Sequence, residues 1–393
     1  MLFSYRYLKE EHFRGFDKYK YSAIDTSPLS TYVMHPFWNA AVNIFPTWVA
    51  PNLLTFVGWF YLIIIYALLT YYDPDFHTTS NDLGIVRPPI PSWVYVACAL
   101  LHFLSHTFDG IDGKQARRTR SSSALGELFD HGLDSLTVWL ITTQMYSIAG
   151  TGTAWSVTPF WMLLVLQWAM IGFYVCHWEK YITGVLYLPW SYDLVQLGTL
   201  GMYIGAAIYG NETLHFYVIS SLGITFSKAF AITVFVSTFA FSIPCSLWNI
   251  YLSYKEKTLK QTSLTEQLAP GSVLTLSLLF PLIWTLTSPA DIINTETRWI
   301  YWLQGILYSN GICRLIVSQM SSTQCNRWNW MIAPFIIVLP AVYQGMLNEV
   351  LALKVYAICV TLLHLHYGVC VVRQLCDHLK INCFSIPPVT IRK

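Results

Sequence analysis

The sequence predicts an all-α polytopic membrane protein of about ten transmembrane helices, preceded by an N-terminal amphipathic interfacial helix. Three observations predict it. Of 393 residues, 54% are hydrophobic and only 11% are charged, whereas soluble domains carry about 25% charged residues. The mean hydropathy is +0.45. Apolar runs near the ~20 residues needed to cross a bilayer recur along the whole chain. A soluble core of this composition is disfavoured, and a net charge of +2 gives no field for nucleic acid.

The elements follow in order. The start, MLFSYRYLKEEHFRGFDKYKY, is polar and lacks the apolar stretch of a cleavable signal peptide. The first true span then serves as the insertion signal. Residues 29–48, LSTYVMHPFWNAAVNIFPTW, are apolar but interrupted by Pro36 and Pro46. Met34, Phe37, Trp38, Ala41 and Phe45 can share one helical face, as on a helix lying at the membrane surface. An ordinary packed arm fits the same pattern. Candidate spans follow at roughly 50–72, 92–109, 131–149, 157–177, 194–210, 229–252, 270–288, 299–318, 329–347 and 350–373. This divides the chain into an arm (1–49), a membrane domain (50–376) and a tail (377–393).

Lys and Arg sort the loops into two sets. One set holds Lys9, Arg14, Lys18 and Lys20, the run from Lys114 to Arg120, Lys180, Lys255, Lys257, Lys260, Arg327, Arg373, Lys380, Arg392 and Lys393. The other holds Arg87, Lys228, Arg298 and Lys354. The asymmetry puts both termini and residues 109–134 in the cytosol and requires an even number of spans. Asn211, in "NET", then falls in a lumenal loop as a glycosylation acceptor triplet. The lysines at 255, 257 and 260 serve topology and contact with anionic lipid. The 9 Cys are scattered without a CxxC, which favours packed, reduced thiols over a disulfide framework or zinc site.

One segment breaks the apolar pattern: DGIDGKQARRTRSSSALGELFDHGLDS, residues 109–135. Asp109 and Asp112 are three apart, Asp130 and Asp134 four apart, so each pair shares a helical face. A turn at residues 119–123 would make the flanking spans antiparallel and bring all four carboxylates together at the cytosolic boundary. Four ionised carboxylates cannot gather in a low dielectric without protons or cations. Two divalent ions would match their charge, and oxygen ligands suit Mg²⁺, Mn²⁺ or Ca²⁺ rather than zinc. Arg117 could bond a phosphate, and Gly110, Gly113 and Gly126 would let a ligand approach the backbone. An EF-hand is excluded, because the ligand and Gly positions do not match. The bland alternative is a set of solubilising juxtamembrane charges. His131 reads as a support to a metal ligand or a plain helix-surface residue. His364 and His366, two apart, read as packing or interface residues.

The pattern Asp109-x-x-Asp112-Gly113-x-x-Ala116-Arg117, eight residues, then Gly126-x-x-x-Asp130-x-x-x-Asp134 resembles the full signature of the CDP-alcohol phosphotransferases. GFDKYKYSAIDTSPLSTYVMHPFWN, PTWVAPNLLTF, HWEKYITGVLYLPW and LIVSQMSST extend the resemblance to the eukaryotic choline/ethanolamine branch, over nearly the whole chain. It looks nearest to the ethanolamine-specific, selenoprotein I type. That type carries a selenocysteine tail, whereas this sequence stops at SIPPVTIRK, a departure that leaves the resemblance of the membrane domain untouched.

The resemblance implies a reaction: diacylglycerol attacks the phosphate of CDP-ethanolamine, giving phosphatidylethanolamine and CMP. It implies two Mg²⁺ or Mn²⁺ ions, a homodimer, and a site facing the cytosol in the endoplasmic reticulum or Golgi membrane. By motif position, Asp109, Asp112, Asp130 and Asp134 surround the metals, and Asp134, beside Asp130, activates the lipid hydroxyl. Gly113, Ala116, Arg117 and Gly126 bind the CDP substrate. Asn52 in "PNLLT" holds the cytidine end, or else merely starts a helix. Glu179 in "HWEKY", with Trp178 and Tyr181 beside it, could accept hydrogen bonds from an ethanolammonium; pairing with a basic residue is its structural alternative. A choline-specific or dual enzyme is the nearest rival. A membrane prenyltransferase would want its aspartate motifs on distant helices. A transporter would show internal repeats, and none is visible.

Overall fold

The computed structural model describes residues 4–77 and 88–386, and only the backbone of Asn211. Arg87, Arg392, Lys393, the tail beyond residue 386 and the Asn211 side chain therefore lie outside the described residues.

The N-terminal arm carries α1 (Glu10–Phe16) and a helical stretch made of a π turn, Ser30–Met34, α2 (His35–Ala41) and a 3-10 turn, Val42–Ile44. Pro36 does not break this helix: the π turn Ser30–Met34 directly before it keeps helical dihedrals through Met34. The chain leaves the helix just before Pro46, with Phe45 extended. Met34, Trp38, Ala41 and Val42 are buried against Leu54 and Ile111, while Tyr32, Val33, Phe37 and Ile44 point outward. The chain is thus helical over Ser30–Ile44, with one apolar side packed on the protein and another exposed.

The membrane part follows as α3 (Pro51–Tyr72), α4 (Ser92–Arg118), α5 (Ala124–Ala149), α6 (Pro159–Thr183), α7 (Ser191–Tyr209), α8 (Phe226–Val236), α9 (Ile243–Lys255), α10 (Leu264–Thr287), α11 (Ile292–Thr295), α12 (Thr297–Ser321), α13 (Phe335–Tyr343) and α14 (Glu349–Leu379). A π stretch, Ser237–Ser242, joins α8 and α9 into one long helix. Each predicted span thus has a helix beneath it. Six are long and apolar enough to cross a membrane: α3, α4, α6, the joined α8–α9, α10 and α14. α12 is instead the central helix, buried along almost its whole length. A helix surrounded by protein needs no lipid-facing belt, so polar residues dilute it. They act as glue: Gln304 donates to the Ser277 carbonyl (2.9 Å) and accepts from Gln167 (3.1 Å).

Local signals set the helix ends. Pro51 opens α3 after an extended Ala50, and Gly184, with φ +85°, closes α6. Among the described residues the strands are short: β1 (Ala23–Ile24) pairs in parallel with β2 (Leu186–Tyr187), and β3 (Tyr217–Ile219) antiparallel with β4 (Ile224–Thr225). The first pair ties the arm to the end of α6. The arm also bonds the end of α14: Leu8 N–H donates to Gln374 (2.9 Å) and His378 meets Asp17 (2.7 Å). Both described ends of the chain therefore sit at the aspartate end of the molecule. Arg298, expected as a loop cation, is buried at the start of α12 and donates to the backbone of Pro74 (2.9 Å). All nine cysteines are free thiols.

Candidate active site

α4 runs on as a helix through both of its aspartates to Arg118, and the chain turns over residues 119–123. The turn is closed by Ser121 N–H on the Ala116 carbonyl (2.9 Å). Ser123 then caps α5, its hydroxyl accepting from Gly126 N–H at 3.2 Å, so one N-terminal donor is satisfied. α3 and α7 each pack against both α4 and α5, and the carboxylates face the cleft that these four helices enclose.

Asp109, Asp112 and Asp130 bring ligand atoms within 4.8 Å of one another, and so do Asp130, His131 and Asp134. Asp130 belongs to both groups. The four aspartates expected to act together are thus brought together, and His131 joins them, its Nδ1 lying 3.6 Å from Asp134 Oδ2. Oxygen-rich donors at this spacing fit a hard divalent cation. Asp112 is the most enclosed, 7% exposed, and accepts from Thr55 Oγ1 at 2.5 Å. Asp109 accepts from the Tyr192 hydroxyl. The residue after Tyr192, Asp193, accepts from Ser30 of the arm and lies 3.1 Å from His106 Nε2. Asp109 and Asp112 are therefore each held through one oxygen. A void of about 20 Å³ borders Asp109, Asp134, Thr55 and Tyr192, room for about one water-sized group.

The other expected site residues take distinct places. A methyl added to Gly113 would stand 3.5 Å from the Arg117 guanidinium, and one on Gly126 3.5 Å from Asn52 Oδ1. Arg117 thus lies over Gly113, and Asn52 beside Gly126, with Ala116 on the helix turn between the aspartates and Arg118. Gly110 differs from its expected use: the Trp38 indole occupies the space a side chain would need, so this glycine admits the arm, not a ligand. Glu179 is buried outside the aspartate cluster. Its oxygens accept from Ser246 (2.5 Å) and Asn249 (2.8 Å) of α9.

The acid that does face the cluster side is Glu127. It is buried in an ion pair with Lys180, accepts from Tyr19 (2.6 Å), and lies 4.0 Å from His131. Lys180 Nζ sits 5.0 Å from the Tyr21 ring centroid. Burial, and then the nearby Glu127 charge, push the phenols of Tyr19 and Tyr21 upward, so both remain donors. Glu127 could have been found from sequence, since it precedes Asp130 by one helical turn. Thr55, three after Asn52, was equally accessible. Tyr192 and Asp193 were not: nothing in a single sequence links them to residue 109.

The chain was compared with known proteins. The profile of the CDP-alcohol phosphatidyltransferase family matches residues 48–209, which contain α3 to α7 and Asp109, Asp112, Asp130 and Asp134. Human Ethanolaminephosphotransferase 1 is 42% identical over 384 residues, spanning 97% of this chain and 95% of its own. The mouse protein of that name is 43% identical over 387 residues, with the same coverage. Choline/ethanolaminephosphotransferase 1 of Arabidopsis thaliana is 31% identical over 405 residues, 94% of this chain and 95% of its own. Likeness of this extent, carried through the helices that build the carboxylate cleft, makes the chain a member of the CDP-alcohol phosphatidyltransferase family.

Proposed function

We propose that this multi-pass membrane enzyme transfers phosphoethanolamine from CDP-ethanolamine to diacylglycerol, giving phosphatidylethanolamine and CMP. The observation that carries the reading is the carboxylate cluster: the complete aspartate signature, gathered on two helices between α3 and α7. The names of the human and mouse relatives favour ethanolamine as head group.

Asp109, Asp112, Asp130 and Asp134 would hold two Mg²⁺ or Mn²⁺ ions, with Asp130 common to both groups. When bound, these supply charge neutralisation and polarise phosphoryl oxygens. The chain's own residues do the rest. Tyr192 bonds one oxygen of Asp109 and Thr55 one oxygen of Asp112, and so each fixes how the other oxygen is aimed. Arg117, over Gly113, is placed to bond the pyrophosphate, while Asn52 and Gly126 receive the cytidine end. The acceptor hydroxyl forms the new O–P bond as the bond from phosphorus to the CMP oxygen breaks. Asp134, on the void described above, takes the hydroxyl proton. Glu179 remains the proposed acceptor for the ethanolammonium: its two donors are neutral, and a carboxylate has about four lone-pair sites.

The proposal places residues 50–376 in the membrane, with the arm and tail on the cytosolic side of the endoplasmic reticulum or Golgi, in a homodimer. Support for the orientation is the excess of Lys and Arg at the aspartate end. The test is CMP release from labelled CDP-ethanolamine by the purified chain, with CDP-choline alongside. Release that depends on diacylglycerol and prefers CDP-ethanolamine is expected. Release independent of diacylglycerol would sink the reaction, and equal use of CDP-choline would sink the head-group assignment.

A further inference from the structure

A cavity of about 600 Å³ lies at the end of the molecule away from the aspartates, between α3, α12 and α14. Along α3, Thr70 on its wall is 15 residues beyond Thr55, which is about 22 Å of helix. The walls from α12 come from its first turns, whereas its last residue, Ser321, abuts Gly15 of the arm.

The cavity is amphipathic. Ile358 and Leu362 give an apolar side, and both are exposed on the outer face of α14, which is long and apolar enough to span a membrane. At the polar end Lys354 Nζ meets Glu296 Oε1 at 2.8 Å and lies 5.9 Å from the Trp299 ring centroid. Arg298 stands behind, bonded to the turn after α3, and Asp75 also lines the cavity. Two cations and two anions line the polar end, and the buried Asp73 also lies near Arg298.

We propose that this cavity binds the head group of a zwitterionic glycerophospholipid from the leaflet opposite the aspartates. The Lys354 ammonium donates to the lipid phosphate, Glu296 accepts from or faces the lipid ammonium, and the acyl chains pass Ile358 and Leu362 into the bilayer. An anionic lipid brings its charge beside Glu296 and Asp75 with no ammonium to offset it. Diacylglycerol has no charge with which to use the pair. The volume suits a head group and first chain carbons, within the ~300–1,000 Å³ usual for ligand sites. This inference does not depend on the catalytic reading above.

The test uses the full chain, delipidated in dodecyl maltoside, with a phosphatidylethanolamine that carries a photoreactive diazirine on one acyl chain. Labelled peptides are mapped, so adducts in α14 are separated from adducts near the aspartates. Label is expected between Lys354 and Leu362, competed by unlabelled phosphatidylethanolamine roughly five- to tenfold better than by phosphatidylglycerol or diacylglycerol, as for one charge-assisted contact in a half-wet groove. Ile358→Trp, which fills the apolar side, should abolish that label. Lys354→Glu should weaken it, and Lys354→Glu with Glu296→Lys should restore it. Equal competition by diacylglycerol, or label that survives Ile358→Trp, overturns the proposal. So does a charge-swapped protein that melts like wild type yet stays unlabelled.

Discussion

Asp112 shows what a single residue does in this cleft. It is the most buried aspartate, fixed by Thr55 and close to Asp109 and Asp130. Asp112→Asn removes one charge from a crowd of like charges, so the metal-free protein should melt no lower than wild type. If Asp112 holds a metal as proposed, turnover should nearly vanish. Ordinary turnover of the variant at ordinary Mg²⁺ would falsify the metal assignment. Glu179 makes a separate case. If it reads the ammonium, Glu179→Gln should weaken use of CDP-ethanolamine more than CDP-choline, by about 1.5–3 kcal/mol. An equal loss for both substrates would reduce it to a structural tie between α6 and α9. Lys180 belongs to the fold's electrostatics. With both partners buried, Lys180→Met leaves Glu127 without its countercharge, at a cost of about 3–5 kcal/mol. Adding Glu127→Gln should recover much of it. Melting curves of the single and double variants decide this, and a double variant no better than the single one removes the argument.

At the scale of elements, the segment after α14 folds back over the cleft. Cys383 Sγ lies 3.7 Å from Asn52 Nδ2, and the Phe384 ring stands 5.5 Å from Phe56 and 5.7 Å from Phe129. Burial pushes the Cys383 thiol up to about 11, against a smaller opposite pull from Asn52. A thiol reacts as thiolate, so at pH 8 only about one molecule in a thousand is reactive, against roughly one in four for a free thiol near 8.5. Maleimide should modify Cys383 about two orders of magnitude more slowly than a free cysteine, with the rate rising about tenfold per pH unit until ~10. Phe384→Ala should speed it. Free-thiol rates in the unaltered protein would mean that this segment does not pack as described.

Nothing in the sequence announced that fold-back, since a short tail has no periodicity to read. The aspartate turn was legible because spacing, Ser-rich turn and helix caps all act within 27 residues. The arm's helix was legible as a helix, but not its seat, because Trp38 finds its pocket at Gly110 only in three dimensions. Glu127 was readable on the Asp130 face, yet an acid in a first helical turn has an ordinary explanation in the helix dipole, and that hid it. Tyr192 reaches Asp109 only because α7 packs on α4, a long-range fact that no local pattern carries.

For the whole molecule, the decisive quantity is how many times the chain crosses. The arm, the 119–123 turn, the end of α6 and the end of α12 meet at the aspartate end, through Tyr19 on Glu127, Lys180 on Glu127 and Gly15 against Ser321. The polar end of the lipid-sized cavity marks the other side. The proposed ten-span topology would connect these ends, but among the described residues only six helices are long and apolar enough to cross, and the helical stretch Trp330–Tyr343 spans only about 21 Å at 1.5 Å per residue, short of a ~30 Å hydrocarbon core. If it crosses, the following loop lies opposite the aspartate turn. Ser122 and Gln344 are both exposed and report the two sides. In sealed vesicles, an impermeant maleimide should label Ser122→Cys from the cytosolic face and Gln344→Cys only after permeabilisation. The exposed native thiols Cys245 and Cys359 are replaced by serine in the background protein. If both engineered thiols react from the same face, residues 330–343 re-enter without crossing, and the ten-span topology fails at that helix.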